Sequence, residues 1–142
     1  MKQYKFFSAA IALVLIAFST ISWVAPGPDS KPTPVTITGS FPDFSTFPNV
    51  VGTFTTSGAL SISGTATMDI GPNVNGIRAH CVITLYPSGG GTITIHQECV
   101  FATPIPQGRW EIVSGTGAYT DLKGNGSLLM PPNTEAMTGV IY

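Results

Sequence analysis

Two cysteines, two histidines, one amide and a few acids are the side chains here that could do chemistry. Cys81 and Cys99 are the only thiols, and neither has a C-x-x-C spacing or a basic neighbour to activate it. In an exported chain, two such cysteines are expected to form one disulfide, the alternative being two free buried thiols. His80, His96 and Glu98 could together approach a divalent cation. Their spacing is poor for it, and they read as polar groups on a sheet surface, so no metal is expected. Ser114 precedes Gly115-Thr116-Gly117, but it lacks the G-x-S-x-G pattern and helix of a nucleophile elbow. The same glycines are too few for a dinucleotide loop. Asn125-Gly126-Ser127 matches the N-glycosylation acceptor pattern. No catalytic residue and no cofactor is assigned.

The elements that must position these groups are strands. Charged residues are 9% of the 142-residue chain, far below the roughly 25% of an average soluble protein. From Val35 onward, runs rich in Val, Ile, Thr and Phe are broken every 8 to 14 residues by Gly, Pro, Asn or Ser, the spacing of an antiparallel sandwich or barrel. Alternation assigns faces. Leu60, Ile62, Gly64, Ala66 and Met68 share one face of their run, and Ile77, Ala79, Cys81, Ile83 and Leu85 one face of the next. Ile93, Ile95, Gln97, Cys99 and Phe101 follow on a third. The acids Asp69, Glu98 and Glu111 fall on outward faces.

Pro87-Ser88-Gly89-Gly90-Gly91 joins the second and third of these runs into a hairpin. A turn centred on Gly90 sets Leu85 opposite Ile95, Ile83 opposite Gln97 and Cys81 opposite Cys99, with His80 diagonal to Glu98. Directly opposed residues are close enough for a disulfide after small adjustment. Gln97 is then an inward amide, which must find a hydrogen bond. It either orients a ligand or is a satisfied core group. Phe101, Trp110 and Tyr119 either line the same interior pocket or are plain core.

Ahead of the strands, Lys2 and Lys5 precede an apolar run from Phe6 to Ala17, the layout of a secretory signal. Cleavage is expected after Ala17-Phe18-Ser19 or Thr20-Ile21-Ser22, the alternative being an uncleaved anchor. Residues 1–22 are thus signal peptide, 23–34 a spacer holding four prolines between Pro26 and Pro34, and 35–142 one domain. The mature protein is expected outside the cell or in the periplasm. No later apolar run approaches the ~20 residues of a membrane span, so no membrane association is expected after cleavage. The basic residues left after cleavage, Lys31, Arg78, Arg109 and Lys123, form no electrostatic footprint for nucleic acid.

The strongest local pattern is Gly108-Arg109-Trp110-Glu111-Ile112-Val113-Ser114-Gly115-Thr116-Gly117-Ala118-Tyr119, continuing through Leu122 to Gly124-Asn125-Gly126-Ser127-Leu128. It reads as a strand, a glycine turn at 115 to 117, an aromatic packing back, and a glycine turn at 124 to 126 entering a new strand. With the earlier Gly52-Thr53-Phe54, this block resembles the allene oxide cyclase and dirigent-like barrel superfamily, especially its small exported members. The resemblance implies an all-β fold, a single antiparallel barrel of about eight strands with a partly apolar interior. It further implies a small apolar ligand in that interior, or a cofactor-independent cyclase or isomerase. The reading is therefore a secreted, non-enzymatic binder of a small apolar ligand or surface partner. The alternatives are such an isomerase, or a structural or adhesive module.

Overall fold

A computed structural model describes residues 31–72 and 76–142. The signal segment and most of the Pro-rich spacer lie outside the described residues. Eight strands follow in order: β1 (Thr33–Ser40), β2 (Asn49–Gly58), β3 (Ser63–Ile70), β4 (Arg78–Pro87), β5 (Thr92–Val100), β6 (Gln107–Thr116), β7 (Gly124–Leu129) and β8 (Thr134–Ile141). Each pairs antiparallel with the next, and β8 pairs with β1 to close the barrel. Closure leaves no free sheet edge. The first strand begins at Thr33, inside the expected spacer, because Pro34 is tolerated near a strand start.

Alternation decides which side chains fill the interior. Val35 and Ile37, Ala66 and Met68, Ile83 and Leu85, Ile93 and Ile95, and Leu128 and Met137 are all buried. On the outer faces of β1, β2 and β3, Thr38, Thr53, Thr55, Thr65 and Thr67 are exposed. Trp110 is the largest interior side chain. It sits across from Gly126 on β7, which in turn pairs with Gly139 on β8. A side chain at Gly139 would meet the β7 backbone and the indole together: a Cβ there would lie 2.1 Å from Asn125 O and 2.7 Å from Trp110 Cζ2. The Gly139→Ala variant is therefore expected to lose about 1–3 kcal/mol by overpacking, read as a lower urea midpoint at unchanged slope. A change below a few tenths of a kcal/mol would show that both the β7 backbone and the indole give way.

The turn between β4 and β5 differs from the expected one. Gly90 N–H bonds Pro87 O at 3.0 Å, and Gly90 and Gly91 take φ of 90° and 78°, so the chain reverses around Gly89 instead of Gly90. Leu85 pairs with Ile93, Ile83 with Ile95, Cys81 with Gln97, and Ala79 with Cys99. A shift of two residues preserves faces but changes partners. His80 accordingly lies directly opposite Glu98 and not diagonal to it.

The glycine-rich block also differs in detail. Gly115 and Thr116 still belong to β6, and the chain turns at Gly117, at φ 63°, into a short 3₁₀ segment, Gly117–Tyr119. Gly124 and Gly126 lie within β7 itself. Four loops, β1–β2, β3–β4, β5–β6 and β7–β8, meet at one end of the barrel. The β2–β3, β4–β5 and β6–β7 connections close the other.

Candidate functional site

At the four-loop end, the connections carry apolar side chains that the barrel does not cover. Phe41, Phe44, Ile70, Phe101, Met130 and Pro131 are among the residues enclosing a cavity of about 210 Å³, and Cys81 forms part of its wall. A more open hollow of about 590 Å³ adjoins it and shares Phe44, Ile70 and Phe101. Phe47 stands at its rim, 62% exposed. Together they make one continuous apolar mouth. The narrower part is smaller than the roughly 300 Å³ of a drug-sized pocket.

Phe41 shapes the floor. Its backbone N–H bonds Asn133 O at 2.9 Å, and its ring lies over Gly39 and Gly52, where a Cβ would come within 2.8 and 2.6 Å of it. Both glycines leave room for the ring to fold back across the barrel end.

Inside the barrel at this end is the group that carries most of the chemistry. Glu135, in β8, is fully buried and accepts a hydrogen bond from Gln97 Nε2. Gln97 Nε2 also lies 3.3 Å from Met137 Sδ. Gln97 Oε1 and Glu135 Oε2 are buried without a hydrogen-bond partner. Burial drives the Glu135 carboxyl up to about 7, only partly offset by the Gln97 bond. Unmet polar atoms in an apolar interior cost roughly 1–3 kcal/mol each.

Beside this pair, Cys99 Sγ donates to Cys81 Sγ at 3.9 Å. Both cysteines are free, which corrects the expected disulfide. The bond requires ~2.05 Å between sulfurs, and the two-residue change of register sets Cys99 against Ala79 and Gln97 against Cys81. The hydrogen bond from Cys99 holds the Cys81 thiol below its ordinary range, against burial and the Glu135 and Asp69 carboxylates. Cys99 is pushed far up, first by the bond it gives to Cys81 and then by burial. Protein denatured without reductant is expected to take two alkyl groups by intact mass. Absence of label there would contradict the free-thiol assignment.

The remaining sequence candidates are spread through the molecule. Gln97 does face inward, next to the acid. Phe101 is half-buried just beyond β5, in the mouth. Trp110 is core, with Nε1 donating to Ser127 O at 3.1 Å and Thr138 O at 3.2 Å. Tyr119 is buried at the opposite end, packed over Gly91. His80, His96, Glu98 and Glu111 are exposed on the outer sheet, and no group of three or more His, Cys, Asp or Glu able to hold a metal ion occurs among the described residues.

Glu135 escaped the sequence reading, although Met137, Gly139 and Ile141 alternate with it on one face. Two apolar residues on the acid's own face were the available signal for an inward carboxyl.

Fold and site together define a class: an up-and-down eight-stranded barrel with an apolar mouth at one end and a buried acid–amide–thiol cluster beneath it. A scan against protein-family models and searches of curated proteins and solved structures found no match.

Proposed function

We propose that this protein is an exported carrier that binds a small apolar ligand at the four-loop end of its barrel. The observation that carries this reading is the apolar cavity of about 210 Å³, walled by Phe41, Phe44, Ile70, Phe101 and Met130 and continuous with an open hollow. Apolar clefts are the usual form of a small-molecule site, and the Glu135–Gln97 pair is buried in the barrel at the same end without lining this one. Export rests on the leader pattern of residues 1–22. Native mass spectrometry of the mature domain from its own secretions, followed by organic extraction, tests it. A reproducible small apolar passenger is expected, and a clean ligand-free mass that no added medium-chain alcohol or ketone shifts would overturn the reading.

One observation favours a second reading, an isomerase or cyclase of the kind the glycine-rich block resembles. It is the inward acid Glu135, held partly protonated near neutral pH by burial, a state suited to general acid catalysis. In that case the Glu135→Gln variant would still bind substrate but stop turning it over, whereas a carrier would show no turnover with either protein.

A further inference from the structure

The two ends of the barrel differ in what they expose. The four connections at the mouth, 41–48, 71–77, 101–106 and 130–133, carry Phe44, Phe47, Ile77 and Ile105, and all four side chains are exposed. Among the described residues, the opposite connections, 59–62, 88–91 and 117–123, expose no large apolar side chain. Charge divides the other way. Asp43 is the single charged residue in the four mouth connections, whereas Asp121 and Lys123 share one connection at the far end. The start of β1 and the end of β8 also lie at that far end, with Thr33 paired to Ile141, so neither crosses the mouth.

The backbone of the mouth connections needs little water. They hold seven of the chain's twelve prolines, two in the first, one in the second and two in each of the others, and the far-end connections hold none. Proline has no N–H to leave unpaired. Amides around the first tip are met from within: Phe47 N–H donates to Phe44 O at 3.1 Å, Asn49 N–H to Thr46 O at 3.0 Å and Ser45 N–H to Asp43 Oδ1 at 2.7 Å. In 101–106, the Thr103 hydroxyl donates to Ile105 O at 2.7 Å. A protein partner is recognised through hydrogen bonds and charges around a polar rim, and this end offers few of either. A lipid interface asks for the reverse, apolar tips on a backbone whose polar groups are already satisfied.

We propose that the four-loop end docks on the surface of a zwitterionic lipid bilayer, with Phe44, Phe47, Ile77 and Ile105 entering the boundary between headgroups and acyl chains. The lack of a membrane-spanning run does not bear on docking of this kind, because an interfacial apolar face reaches only ~5–10 Å into that boundary. The open hollow beside Phe44 and Phe47 would then face acyl chains instead of water. The role of the docked state rests on the carrier reading: an apolar passenger would move between bilayer and cavity without crossing water.

Flotation of the mature domain with phosphatidylcholine vesicles on a density gradient tests docking. Saturable binding is expected, unchanged from about 0.1 to about 1 M NaCl because no cation is engaged. The Ile77→Asp/Ile105→Asp double variant alters exposed residues that line neither hollow. It should keep a urea midpoint close to wild type and lose about tenfold or more in vesicle affinity, while 1-octanol still shifts the methyls of Ile70 and Met130. No flotation of the wild type, binding confined to anionic vesicles and abolished by salt, or equal binding by the double variant would each overturn docking. Self-association in place of vesicle binding, lost in the double variant, would assign the tips to a second copy of the chain and overturn it as well. Vesicle binding without saturable octanol shifts would overturn the carrier reading and leave docking standing.

Discussion

The Trp110→Ala variant should be the least stable single substitution in the barrel, losing about 3–5 kcal/mol in urea or thermal unfolding. The reason is geometric. Trp110 is 2% exposed and faces Gly126 and, beyond it, Gly139, so no neighbouring side chain can swing into the space it vacates. The carbonyls of Ser127 and Thr138 would lose the indole N–H they share. Against a total stability of about 5–15 kcal/mol for a domain, such a loss leaves little margin. A cost below 1 kcal/mol would mean that β7 and β8 collapse onto the hole, which their glycine pair and closed register oppose.

Glu135 gives the second large effect, and its sign runs opposite to that of an ordinary salt-bridged acid. Its ordinary value is 4.5 and its folded value about 7. Between those values the unfolded chain has released the proton that the native barrel still holds. Stability therefore falls as pH rises through this window, by about 3 kcal/mol in all at 1.36 kcal/mol per pH unit. Below pH 4.5 both states are protonated and the penalty vanishes. The Glu135→Gln variant, which keeps the shape and removes the charge, should lack this component. The difference between the two unfolding free energies, measured from pH 4 to pH 8, isolates it from every contribution the two proteins share. Parallel curves would show that Glu135 is not held neutral by burial.

Much of the fold was legible because alternation is a strong signal in half-buried strands. Ala79, Cys81, Ile83 and Leu85, and Ile93, Ile95, Gln97 and Cys99, are buried as their spacing predicts, whereas Ile77, just ahead of β4, is exposed and Phe101, just beyond β5, is half-buried. What sequence spacing could not set was the hairpin partner. Three consecutive glycines permit reversal at more than one position, and only the Pro87–Gly90 bond and the φ values of Gly90 and Gly91 select one. That choice separates a disulfide from a thiol pair. Gln97 as an inward amide was legible, but its partner Glu135 was not, because the acid sits 38 residues away and only barrel closure brings β8 near β5. The cavity was hidden for a similar reason. Phe41, Phe101 and Met130 come from three separate connections and Ile70 from the end of β3, and nothing in their local sequence shows that these meet at one end.

Titration of the methyl-labelled mature domain with 1-octanol, followed by NMR, tests the central claim most directly. Saturable shifts are expected at Ile70 and Met130, which wall the cavity, with Leu122 and Ile93 at the opposite end unmoved. Shifts that never saturate, or that fall equally on both ends, would contradict a ligand seat at the four-loop mouth.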